Sequence, residues 1–183
     1  LKFSDNVTLI APDHMLTARG VKLYADGAIG SRGAAFFKKY DDYETKGFLI
    51  FQKEETMPKL IKALVNGIQI QTHAIGDLAN KVTLDWYEEA FNKISEANRM
   101  IEEPSWRIEH SQNILPTDQK RFAELKVIAT MQTYNAIGDL QVAHKRLVIE
   151  RVETAYTWRN VMNVGVWWGG GAEADGGMGE WRG

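Results

Sequence analysis

Two histidines carry the first chemical signal in this sequence. His73 follows the run Ile68–Thr72 and His110 follows the run Trp106–Glu109. Both runs read as short strands from their β-branched and aromatic content. Neutral imidazole is a good ligand for zinc and similar metals. Two parallel strands that each end in histidine would bring the rings to one rim, with Asp77 and Glu109 beside them in sequence. A pair of hydrogen-bonded structural histidines would leave the same pattern.

Lys22 is the next candidate, because it sits inside the apolar run Val21–Ala25. A lysine there faces solvent from an edge strand or is held inside the sheet near a charged partner, since an unpaired buried ammonium is costly. A desolvated lysine has a depressed pKa. As a neutral amine it reacts with CO2 to give a carbamate, an anionic metal ligand. The segment Asp26-Gly27-Ala28-Ile29-Gly30-Ser31-Arg32-Gly33 follows that strand. It is neither a dinucleotide fingerprint nor a phosphate loop. Its glycines suggest a tight loop with close backbone approach, and Arg32 is a candidate contact for an anionic group on a substrate. A plain turn has the same composition. His14, in a turn-like approach, and His144, among Gln141, Lys145 and Arg146, read as solvated positions.

The elements that must position these groups alternate. After Val21–Ala25 comes a polar connection over 34–53. A helix follows with Thr56 as N-cap and Leu60, Ile61, Leu64 and Val65 on one face, ending at Gly67. The strand before His73 leads into a long helix over Asp77–Ala97. The strand before His110 leads to a helix capped by Thr117 and running to Leu125. Val127–Met131 is a further strand, Lys145–Met162 a helix, and Val164–Trp168 a last strand. Strands separated by helices predict an α/β fold with a parallel sheet. Such sheets present their chemistry at the C-terminal strand ends, where His73 and His110 fall. Asp77 falls where it can orient a ligand or favour a helix N-terminus.

Composition narrows the function classes. The chain has 183 residues, 44% hydrophobic and 25% charged, within the range of a globular domain. Its 22 basic and 24 acidic side chains give a net charge of −2, so nucleic acid and acidic membrane surfaces are not expected partners. Cysteine is absent, which excludes disulfides, thiolate metal sites and a cysteine nucleophile. Any metal must be held by histidine, carboxylate or modified lysine. No apolar run is long enough for a membrane-spanning helix, and Leu1–Ile10 has no signal-peptide pattern, so the expected compartment is the cytoplasm. Residues 164–183 hold eight of the 16 glycines and three of the six tryptophans, so 169–183 is expected to be a poorly ordered tail on a domain spanning 1–168.

Taken in order, VKLYADGAIGSRGAA (21–35), THAIGD (72–77), RIEHSQ (107–112), VIATMQ (127–132) and ERVETAYTWR (150–159) resemble the amidohydrolase superfamily of metal-dependent hydrolases, and within it the N-substituted formamide deformylase branch. The resemblance covers about residues 11–168. It implies a (β/α)8 TIM barrel with one or two metal ions, usually zinc, at the C-terminal rim. It also implies a metal-bound hydroxide that attacks a carbon–nitrogen bond of a small amide-type substrate. Lys22 matches the family's fourth-strand lysine, which is carboxylated in family members. His73 and His110 match its fifth- and sixth-strand metal ligands. Glu173 stands where the eighth-strand aspartate acts as ligand and general base, with Asp175 as a second candidate.

Three departures accompany the resemblance. No first-strand HxH motif occurs. Thr133-Tyr134-Asn135 stands where relatives usually carry a histidine after the seventh strand. The eighth-strand motif is replaced by Gly171-Ala172-Glu173-Ala174. The chain therefore reads as a partial barrel, about strands four to eight of a longer catalytic domain. Five strands cannot close an eight-stranded barrel, and open sheet edges invite pairing with another chain, including a second copy. The chain alone is expected to bind metal weakly and to turn over little. The alternative is a non-catalytic α/β half-barrel that assembles with another chain.

Overall fold

The computed structural model describes residues 19–152, 154–166 and 168–170. In chain order these form β1 (Gly20–Tyr24), α1 (Lys53–Val65), β2 (Gln69–Ala74), α2 (Asp77–Lys93), β3 (Arg107–His110), α3 (Pro116–Glu124), β4 (Ile128–Met131), α4 (Thr133–Arg146), α5 (Ile149–Val152), α6 (Trp158–Asn163) and β5 (Trp168–Gly170). The five strands make one sheet in the order β1-β2-β3-β4-β5, and every neighbouring pair is parallel. A doubly wound sheet reverses its strand order at a switch point. This sheet never reverses, which is how the wall of a (β/α)8 barrel is built. The fold is α/β and has the form of part of a TIM barrel. Among the described residues no helix is long and apolar enough to cross a membrane.

The two faces of the sheet differ in chemistry. Register pairing places Leu23, Thr72, Ile108 and Ala129 in one row, and all four are buried. This row faces the helices, where Leu60 and Leu64 of α1, Leu84 and Tyr87 of α2 and Phe122 of α3 join one core. Thr72 and Tyr87 share a 2.6 Å hydroxyl–hydroxyl bond across that layer. Trp106, fully buried before β3, donates its indole N–H to the Ile68 carbonyl at 3.0 Å and packs on Tyr87 and Phe91. The alternate rows, Lys22–Gln71–Arg107–Ile128 and Tyr24–His73–Glu109–Thr130, belong to the opposite face. That face is polar, as a functional barrel interior requires and a purely structural parallel sheet does not.

A second layer covers the C-terminal strand ends. The segment after β1 buries Ile29, Ala34, Phe36 and Tyr40 with Ile75 and Leu147. Asp26, 1% exposed, fastens it. Its carboxylate accepts N–H bonds from Ala35 and Gly76 at 2.8 Å and from Ile75 at 3.0 Å. Gly76 is required there because a Cβ would lie 1.9 Å from the Ala35 carbonyl oxygen. Asp77 continues the seam, accepting from the Phe37 N–H at 2.9 Å. Arg146 donates to the carbonyls of Ile29 and Gly30, and Arg151 to that of Lys39.

Several boundaries differ from the sequence expectation. Thr56 lies inside α1, where its hydroxyl donates to the Gln52 carbonyl at 2.8 Å, and Gln52 is the N-cap. The long helix α2 stops at Lys93 because Ile94 turns extended. The single helix expected over Lys145–Met162 is instead the end of α4, then α5 and α6. Leu147 is extended and Tyr156 has a φ of 53°, and both break the helical path. The helix α4 itself is absent from the sequence reading, since Asn135 and Gly138 obscure its period. The last strand is displaced to Trp168–Gly170, two residues into the expected tail.

Asp26→Ala strands three N–H donors beneath the loop layer. Each buried donor left unsatisfied costs on the order of 1–3 kcal/mol, partly offset by removing a buried charge. Urea unfolding should therefore show a loss of about 2–4 kcal/mol, and a loss under about 1 kcal/mol contradicts the clamp.

Candidate functional site

The polar ends of β1, β2 and β3 line a cavity of about 360 Å3. It is bounded by Lys22, Tyr24, Ala28, His73, Ile75, His110, Gln112, Asn135 and Asp139. Three residues singled out in the sequence, Lys22, His73 and His110, are brought together here.

The histidine pair depends on a break in the strand. His73 is in register with Glu109, and His110 with Ala74. Strict alternation would send His110 to the face of Ala74, away from His73. The backbone does not stay extended at that point. His110 has a φ of 72° and Ser111 a φ of 40°, in the left-handed region that non-glycine residues seldom adopt. The His110 ring meets His73 edge-on, with centroids 4.4 Å apart. The Ser111 hydroxyl donates to the Ile108 carbonyl at 2.8 Å and closes the turn. Buried amides hold the layer beneath. Asn80 donates to the carbonyls of Ala74, Gly76 and Asn113, and Asn113 donates to that of Ile75.

Burial is the main cause that pushes the His110 imidazolium pKa down to about 4, and the nearby Lys22 charge adds to it. A hydrogen bond with Gln132 and the charge of Asp139 act the other way. The ring is therefore neutral near pH 7. His73 is set by the Gly-rich loop, with Nε2 3.5 Å from the Gly27 carbonyl and 3.6 Å from the Asp26 carboxylate. Burial raises the Asp26 carboxyl to about 7 against its N–H bonds from Gly76, Ala35 and Ile75. Tyr24 packs on His73 at 5.4 Å, and the Lys22 ammonium stands 5.6 Å from the Tyr24 ring centre.

Lys22 is exposed on the edge strand β1 while lining the cavity. The described residues do not supply the desolvation that the buried alternative required. Arg32 forms a two-pronged pair with Asp42, at 3.1 Å from Nε and 2.7 Å from Nη2, and lies against Tyr43. It is not among the residues lining the cavity. Asp77 sits in the first turn of α2 and His144 is exposed on α4. His14, Glu173 and Asp175 lie outside the described residues.

Sequence reading missed Asp26, Gln112, Asn135 and Asp139. Asp26 had one available signal: a carboxylate directly after a strand and before glycine. The other three act through α4 and the β3 loop, whose course no local pattern gave.

The donor chemistry suits a divalent metal, since two imidazoles and one lysine converge at the strand ends. Among the described residues no group of three or more His, Cys, Asp or Glu side chains could hold a metal ion. Among the described residues, a set of three protein ligands, the number typical of catalytic zinc, would need Lys22 beside the two histidines.

Comparison with known proteins gives the lineage. The profile described as "Amidohydrolase family" matches residues 2–178. The chain is 32% identical over 146 residues to Protein LONG AFTER FAR-RED 3 of Arabidopsis thaliana, covering 79% of this chain and 24% of that protein. It is 31% identical over 156 residues to YtcJ of Bacillus subtilis (strain 168), a protein named as an amidohydrolase, covering 84% of this chain and 28% of the relative. The crystal structure of an uncharacterized metal-dependent hydrolase from Pyrococcus horikoshii OT3 matches with a TM-score of 0.75 and 32% identity, over 87% of this chain and 30% of that one. Its counterpart from Pyrococcus furiosus matches with a TM-score of 0.75 and 30% identity, over 87% of this chain and 31% of that one. The chain thus spans less than a third of the length of these relatives. The family match takes in every strand of the sheet and both histidines of the cavity: this chain belongs to the amidohydrolase family.

Proposed function

We propose that this chain carries the Lys22, His73 and His110 portion of a zinc centre in a hydrolase that cleaves carbon–nitrogen bonds of small amide-type substrates, as in the N-substituted formamide deformylase branch. The observation that carries this reading is the edge contact of His73 and His110, 4.4 Å between centroids, at the C-terminal ends of adjacent parallel strands. A structural histidine pair does not require a non-glycine residue with a φ of 72° to bring it about. Family membership and the likeness to the two archaeal metal-dependent hydrolases support it.

The side chains divide the work. His73 and His110 offer imidazole nitrogens, and the depressed His110 pKa keeps its nitrogen available at neutral pH. Lys22 is the third donor. Once its ammonium has given a proton to solvent, the amine attacks CO2 and sheds a second proton, which makes it an anionic carbamate. Asp26 and the Gly27 carbonyl orient the His73 ring. Glu173 is proposed as general base or further ligand from its place in the sequence. A divalent metal, when bound, polarises a substrate carbonyl and acidifies water. The cavity of about 360 Å3 is of the size that takes a small molecule. A non-catalytic role gains support from one observation, the lack of a three-member His, Cys, Asp or Glu cluster among the described residues.

Zinc titration after chelation separates the two readings. His73→Ala and His110→Ala should each weaken zinc binding at least about tenfold while the circular dichroism spectrum stays native. Unchanged zinc affinity in both variants favours the non-catalytic half-barrel.

The His110 part of the pH dependence of stability has a defined sign. The folded His110 pKa of about 4 lies below the ordinary 6.5, so the unfolded chain binds the extra proton between those values. The His110 contribution is fully present above pH 6.5 and is lost as pH drops towards 4, by up to about 3 kcal/mol, while the raised Asp26 carboxyl contributes with the opposite sign over the same range. Relative to wild type, His110→Asn should remove that acid-side loss from the pH profile of thermal unfolding, leaving the Asp26 contribution. An unchanged slope refutes the assignment to His110.

A further inference from the structure

Three polar side chains in the cavity lining take no part in the proposed metal chemistry: Gln112, Asn135 and Asp139. Asn135 and Asp139 are four residues apart on α4 and so share one helix face. The Asp139 carboxylate is held by two donors. Gln112 Nε2 donates to its Oδ2 at 2.8 Å, and the Tyr156 hydroxyl donates to the same oxygen at 2.8 Å. The Tyr156 backbone N–H donates in turn to the Gln112 carbonyl at 2.8 Å, which closes a three-residue unit. Tyr156 adopts a φ of 53° within this unit, a conformation costly for a bulky residue. Burial and the adjacent carboxylate push its pKa far up, so its hydroxyl remains a proton donor.

The two donors fix the carboxylate but do not neutralise it. Gln112 and Tyr156 are both uncharged, and both bonds end on Oδ2, leaving Oδ1 outside them. A carboxylate held by two donors thus lines a cavity of ligand size that it shares with Lys22 and the histidine pair. A group with these properties recognises a cation or a strong N–H donor.

We propose that Asp139 is a specificity-determining residue that receives a protonated amine, or an equivalent N–H donor, on the small-molecule substrate. This rests on the hydrolase reading above and adds to it a substrate class: amide-type molecules carrying a basic nitrogen apart from the bond that is cleaved. Gln112 and Tyr156 are positioning residues for the carboxylate.

Ligand-observed NMR titration of the full 183-residue chain tests this, with n-butylammonium and the neutral, similarly shaped 1-butanol as probes. The wild-type chain should bind butylammonium about tenfold more tightly than butanol, the difference expected for one charge-assisted hydrogen bond. Asp139→Asn should abolish the preference, and Tyr156→Phe should reduce it. Equal binding of the two probes by the wild type overturns the proposal, and so does a preference that survives both substitutions. If Asp139→Asn loses the native circular dichroism spectrum, Tyr156→Phe decides alone, and an undiminished preference there overturns the proposal. The titrations require no metal. A retained preference in a chain that binds no zinc would count against the hydrolase reading and leave the role of Asp139 standing.

Discussion

The site depends on one constraint, the register of β2 against β3. His73 pairs with Glu109, so His110 lies one residue further along, at the last position of its strand. From there a left-handed turn through His110 and Ser111 brings the second imidazole to the first. A one-residue slip would reverse every side chain of the strand. It would place Glu109 where the turn now lies and bury polar groups against the helices. The apolar row Leu23, Ile108 and Ala129, packed on α1, α2 and α3, prevents that slip. The hydrophobic core thus sets the geometry of a polar site on the other face.

A second set of contacts keeps the strand ends in place from above. The Asp26 carboxylate ties the loop after β1 to the turn after β2 through three N–H bonds. Arg146 and Arg151 then bind that loop to the end of α4 and to α5. Residues more than a hundred positions apart therefore enclose one cavity. Its two chemistries, nitrogen donors from the strands and a carboxylate from α4, come from separate parts of the chain.

Much of this could be read from the sequence. The parallel α/β architecture followed from alternating strand and helix patterns, and Lys22, His73 and His110 from their places at or near strand ends. The five motifs by themselves point to the amidohydrolase superfamily. What escaped was long-range. No local rule reports that His110 leaves the extended conformation, because its φ is set by the turn and by packing against His73. Helix α4 was hidden by Asn135 and Gly138, although Asn135 and Asp139 on that helix line the cavity. The pattern around Lys22 fits a buried or a solvent-facing lysine equally, and the fold leaves it exposed while it lines the site. Arg32 is a substrate-contact candidate by its place in the Gly-rich loop, and in the fold its guanidinium pairs with Asp42 outside the cavity lining.

Zinc K-edge absorption spectroscopy of the 183-residue chain, loaded with less than one equivalent of zinc, bears most directly on the histidine pair. Coordination by two imidazole nitrogens at about 2.0–2.1 Å, both lost in the double variant His73→Ala, His110→Ala, is the predicted result. A zinc ion bound without imidazole, or an unchanged spectrum in that variant, would contradict the assignment of these strand ends as a metal site.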